Sequence, residues 1–156
     1  MESFTILKYK IHFLCFFFLF VFKLNAQVVH NYQNISIQSN QNIKNKIESI
    51  INSKNIFLVD SNSLSRIRYA NTEIIDIRYN NLNQLSLVDT TQLQNLKYCI
   101  LRIQSIPNPI DLNQLNTLTN LEVIHIIIET DFLENPSFIN LINQNIIITY
   151  VISIPQ

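Results

Sequence analysis

The sequence predicts an α/β fold: a short solenoid of about five units whose strands form one parallel concave sheet, preceded by an N-terminal capping helix. Three observations lead there. Between Leu93 and Ile106 the apolar residues fall three apart at Leu93, Leu96 and Cys99, then two apart at Leu101, with polar Gln104 ahead of Ile106. Spacing of three belongs to a helical turn and spacing of two to a strand, so one unit changes period inside itself. The same change recurs along the chain, and a one-sided helical pattern stands before its first occurrence.

The chain of 156 residues fits one domain with a sizeable core. It is 47% hydrophobic and 14% charged, with a formal net charge of zero, which gives no electrostatic pull on nucleic acid. It has no glycine, whereas average usage is about 7%. Phosphate-cradling loops and nucleophile elbows require a residue without Cβ, so Rossmann, Walker and EF-hand sites are excluded. Asn is the next most tolerant of left-handed backbone, and pairs such as Asn80-Asn81 are expected to make the turns.

Residues 1–26 read as a signal peptide. Lys8 and Lys10 precede the apolar run Phe13 to Phe22, about half of a bilayer span, and Ala26 stands before polar Gln27. Leu24 and Lys23 fit a cleavage site less well, and an uncleaved anchor is the alternative. Removing this segment takes 11 basic and 11 acidic side chains to 8 and 10, a formal charge of −2. Cys99 is then the single cysteine, so no intrachain disulfide is expected.

Residues 27–53 form a lead-in. Val28 to Asn40 alternates and suits a short edge strand or a loose approach. From Asn42 to Ser53, Ile43, Ile47, Ile50 and Ile51 share a side, as a capping helix requires. Residues 54–156 carry the units, whose register asks for apolar residues at the fourth, sixth and eleventh places and a polar residue at the ninth; the unit from Leu121 departs from it by ending on Asp131, with Phe132 next door. The paired inward residues are Phe57 and Val59, Ile75 and Ile77, Cys99 and Leu101, Ile124 and Ile126, and Ile148 and Tyr150. The ninth places hold Asn62, Asn80, Gln104, Glu129 and Ser153. Starts at 54, 72, 96, 121 and 145 are separated by 18, 24, 25 and 24 residues, near the roughly 20–29 of a known repeat class.

With LQNLKYCILRIQSI and LTNLEVIHIII on the page, residues 54–155 resemble an irregular leucine-rich repeat protein of a short, exported bacterial type. Leu112, Leu115 and Leu118 extend the three-residue spacing backwards into a helical or 3₁₀ return segment. Only Asn62 and Asn80 carry the family's Asn, the first unit is short, and the last lacks its Leu-x-x-Leu lead-in. The resemblance implies a binding surface on the concave sheet and a macromolecular partner.

Three outward rows follow from strand alternation. They are Asp60, Arg78, Arg102, Ile127, Val151; then Leu58, Asp76, Ile100, His125, Thr149; then Ile56, Ile74, Tyr98, Val123, Ile147. The expected ligand-binding residues are Asp76, Arg78, Tyr98, Arg102 and His125. Paired guanidinium groups on adjacent strands suit carboxylate or phosphate, but Asp60 and Asp76 neutralising them on a solvated sheet explains the same residues. The apolar end of the rows is either a partner patch or is covered by the C-terminal segment. Cys99 points inward and His125 outward, which disfavours a Cys–His nucleophile. Glu129, Asp131 and Glu134 read as a solvated loop, and no ligand cluster for a metal is apparent.

The expected function is a secreted or periplasmic module that binds a protein or other macromolecule without catalysis or cofactor. Nucleic-acid binding and stable membrane insertion after signal cleavage are not expected, while self-association through the C-terminal strand edge is. The alternative is a small exported α/β enzyme, or an α+β domain of unknown activity.

Overall fold

The computed structural model describes residues 29–34, 41–60, 63–64, 72–105, 109–131 and 135–153. The expected signal segment, Asn62, Ile106, Glu134 and Pro155 lie outside the described residues. Six parallel strands form the main sheet of an α/β fold: β1 (Val29–Asn31), β2 (Ile56–Asp60), β4 (Ile74–Arg78), β5 (Tyr98–Ile103), β7 (Val123–Ile128) and β9 (Ile147–Ile152). A short β3 (Ser63–Leu64) turns back antiparallel on β2, pairing Val59 with Leu64. The backbone of the first unit therefore closes as a hairpin.

Strands β2, β4, β5, β7 and β9 are neighbours in chain order, and their register aligns the predicted rows residue for residue. Phe57, Val59, Ile75, Ile77, Cys99, Leu101, Ile124, Ile126, Ile148 and Tyr150 are all buried in one apolar cluster. β-branched and aliphatic side chains fill this face because each strand can bury it only against what returns beneath.

The return segments explain the three-residue spacing. Tyr79–Leu87 and Asn113–Thr117 are 3₁₀ helices, and α2 (Thr90–Leu93) precedes the turn into β5. Three residues per turn place every third side chain on one face. Leu115, Leu118 and Leu121 each donate N–H to the carbonyl of the leucine three before, at 3.0, 3.0 and 3.2 Å, and the four leucines from Leu112 are buried. Asp89 caps α2, its carboxylate accepting from Thr91 N–H at 2.8 Å. Beyond these segments β6 (Ile110–Asp111) pairs parallel with β8 (Phe138–Ile139).

Two sequence expectations about turns are corrected. Asn80 and Asn81 lie inside a 3₁₀ helix, and the left-handed residue among those described is Asn140, at φ 63°. The buried amide is Asn81, 7% exposed, whereas Asn80 in the expected polar column is exposed. Asn81 Nδ2 has no hydrogen-bond partner among the described residues, so a repeating Asn ladder does not form there.

The helical stretch before the units is α1 (Gln41–Ile51), and it does not sit at the end of the array. Its Ile50 packs with Ile74, Ile100 and Val123 on the outer face of the sheet, flanked by Tyr98 and Ile147. Lys46 reaches Glu122 at 2.7 Å and stands 4.9 Å above the Tyr98 ring. The helix thus covers the middle of the face it was expected to leave open, because Ile74, Ile100 and Val123 make that face apolar and an amphipathic helix buries it.

β1 fills the far edge, pairing Val29, His30 and Asn31 with Ile148, Thr149 and Tyr150 of β9. The C-terminal edge expected to pair with another copy is therefore occupied by the chain's own N-terminal strand. The alternating lead-in allowed a strand, but nothing in it indicated which edge it would join.

Candidate functional site

The expected ligand residues share the outer face but fall into three environments. Asp76 is 8% exposed and is held by Arg102, whose Nε donates to both carboxylate oxygens at 2.9 and 3.1 Å and whose Nη2 donates at 2.8 Å. Arg102 Nη1 also donates to Glu129 Oε1 at 3.2 Å, and Gln104 Nε2 donates to Glu129 Oε2 at 3.1 Å. These bonds follow from register. Ninth-place Gln104 and Glu129 leave adjacent strands side by side, and Arg102 reaches diagonally across β4 and β5.

Glu129 was expected in a solvated loop; it is half-buried and shared by two partners. The signal for it was its place in the same column as Gln104.

Tyr98 and His125 are covered. Tyr98 is half-buried under α1, with Lys46 over its ring. His125 is 1% exposed, its Nδ1 2.9 Å from Thr149 Oγ1, with the Tyr32 ring set edge-on at 5.5 Å. Burial, reinforced by the positive charge of Arg102, pushes the His125 pKa down to about 4, so the ring is neutral at physiological pH. His125 cannot touch a ligand directly from this position, which removes it from the expected binding set. The cover came from Tyr32, in a 3₁₀ turn directly after β1, and neither its position nor its role was readable from residue spacing.

Cys99 and His125 lie on opposite faces of the sheet. Burial first and the Asp76 carboxylate second push the Cys99 thiol far above its ordinary range. Thr149, the hydroxyl partner of His125, is fully buried. Neither sulfur nor hydroxyl is set up here as an accessible nucleophile beside a base. No group of three or more metal-ligating side chains occurs among the described residues.

What remains open on the outer face is a strip at the C-terminal ends of the strands. Arg78 is exposed, and Arg102, Ile127 and Val151 follow it, half-buried, on successive strands. Strand neighbours lie about 4.8 Å apart, so the strip is polar and ion-paired at one end and apolar at the other. No helix among the described residues is long and apolar enough to cross a membrane. No family model, curated protein or solved structure matches the chain.

Proposed function

We propose that this chain is a non-catalytic interaction module that engages a protein partner along the uncovered strip at the C-terminal ends of its strands. One observation carries the reading: α1 and Tyr32 cover the upstream part of the outer face and Ile127 packs against the cluster under α1, while in the same in-register row Arg78 is exposed and Arg102 and Val151 are only half-buried. The grip of Asp76 and Glu129 on Arg102 presets that guanidinium, which limits the ordering cost of binding. With Arg78 and Arg102 set against Asp76 and Glu129 the strip is close to neutral, which favours a protein over nucleic acid.

The finer architectural reading is an irregular leucine-rich-repeat-like solenoid over residues 54–153. Chain-order parallel neighbours and leucines at every third place of the return segments support it. The helix that crosses the outer face is its main departure from that pattern. Export is read from residues 1–26, and N-terminal sequencing of the mature protein tests it.

The binding test is capture from native exported material on immobilised wild type, Arg78→Glu and Val151→Asp. Capture by wild type and its loss in both variants, each assayed at a temperature where its own unfolding curve shows it folded, is the expected result. Equal capture by all three would remove the strip from consideration.

A further inference from the structure

We propose that a second site, on the side of the sheet away from α1, binds a neutral oligosaccharide. Two adjoining cavities of about 370 and 530 Å³ run between the 3₁₀ helices Tyr79–Leu87 and Asn113–Thr117 and share Leu82, Asn83, Asn113 and Gln114. Each lies within the volume range of small-molecule sites, roughly 300–1,000 Å³. Leu82 and Leu85, 4% and 1% exposed, belong to the inward core cluster, so the groove opens opposite the face that α1 covers.

The chemistry of the walls selects the ligand class. Asn80 and Asn83 on one wall and Gln114 on the other are exposed, and their side-chain amides make no hydrogen bond among the described residues. Each carboxamide offers two donors and an acceptor oxygen side by side. Tyr79 stands at one end, where its hydroxyl oxygen accepts the Asp111 N–H at 3.2 Å and keeps its own proton free to donate.

Asp111 is the one acidic side chain among the described residues that line either cavity, and its Oδ1 already accepts from Asn113 N–H at 2.9 Å. Among the described residues no Lys, Arg or His lines them, so the described walls offer an anionic ligand no countercharge. A ring sugar matches the remaining features. Its hydroxyls each donate and accept, answering the amides pairwise. A peptide fits less well, because both walls are 3₁₀ turns, which present no strand edge for main-chain pairing.

The test is an NMR titration of the isotope-labelled chain with hexasaccharides of glucose, xylose and N-acetylglucosamine at millimolar concentration. Saturable shifts centred on Asn80, Asn83 and Gln114 with at least one sugar are expected. Asn83→Ala combined with Gln114→Ala should weaken binding about tenfold or more, as loss of two ligand hydrogen bonds implies. Its Tm should stay unchanged, since neither amide makes a hydrogen bond among the described residues. Absence of shifts with every sugar, or shifts undiminished in the double variant, would overturn the proposal. So would groove shifts produced by a neutral Asn- and Gln-rich peptide and by no sugar. The Arg78→Glu variant should bind sugar normally, which separates this site from the strand-end strip.

Discussion

Arg102 and Asp76 are joined diagonally across two neighbouring strands by three hydrogen bonds of 2.8 to 3.1 Å, with the carboxylate 9% exposed and the guanidinium 36% exposed. The asymmetry matters more than the pairing. Asp76 has given up water and relies on Arg102, whereas Arg102 keeps solvent and a second acid, Glu129.

Arg102→Ala should therefore destabilise the fold by about 1–3 kcal/mol, the cost of leaving a buried polar group without its partner. Arg102→Leu combined with Asp76→Leu should recover most of that loss, because the most buried charge is then removed and Glu129, more exposed than Asp76, keeps Gln104 as a donor. Urea unfolding of the two variants beside wild type measures both values. A double variant as unstable as the single one would show that the pair itself stabilises the fold. The Arg102 single variant is thus unsuited to a binding assay.

His125 makes stability depend on pH in a defined window. In the unfolded chain a histidine titrates near 6.5; buried beneath Tyr32, with the Arg102 charge nearby and His30 in the same cross-strand row, it titrates at about 4. The folded state binds the proton less well. The contribution is complete above about pH 6.5, declines as pH falls, and is lost below about 4, a difference on the order of 3 kcal/mol. His125→Gln should flatten the difference in urea midpoints between pH 7 and 4.5. An unaltered slope in that variant would assign the acid sensitivity to other groups.

The inward core and the strand register were legible in the sequence because strand alternation is local: Cys99 and Leu101 had to share a face, and their column partners followed from unit spacing. What covers the other face was not legible. Ile47 and Ile50 announced an amphipathic helix, but a periodicity says which side is apolar and not what it meets. The open strip could be recognised only after that helix had been placed. His125 left the candidate set for this tertiary reason and Tyr98 is half-buried beside α1, while Arg78 and Arg102 kept the places that register assigned them.

Cys99 should resist thiol reagents in the folded protein. It is 1% exposed and free of any disulfide, and burial keeps its thiol protonated. Labelling with an aromatic disulfide at pH 8 should proceed only through opening of the core, so its rate should rise with urea in step with unfolding. Leu101→Ala, which deletes a fully buried neighbour in the inward column, should cost roughly 2–5 kcal/mol and accelerate labelling correspondingly. Prompt labelling without denaturant would contradict the buried position.

The attachment of α1 rests on two kinds of contact that mutation can separate. Ile50, 2% exposed, buries aliphatic surface against Ile74, Ile100 and Val123 of the sheet, and Ile47 of the same helix is fully buried. The Lys46–Glu122 pair, although 2.7 Å long, has side chains 37% and 47% exposed. Exposed pairs contribute about 0–1 kcal/mol because water screens them and two long side chains lose freedom; truncating a buried isoleucine costs about 2–5 kcal/mol. Ile50→Ala should therefore destabilise the protein severalfold more than Glu122→Gln. Amide hydrogen exchange should localise that loss to α1 and to the upstream ends of β4, β5 and β7. If Glu122→Gln proved the more damaging, the helix would be held by charge, and salt should then release it. If the apolar contacts dominate, raising the salt concentration should leave its protection unchanged, because burial of Ile47 and Ile50 does not depend on screening.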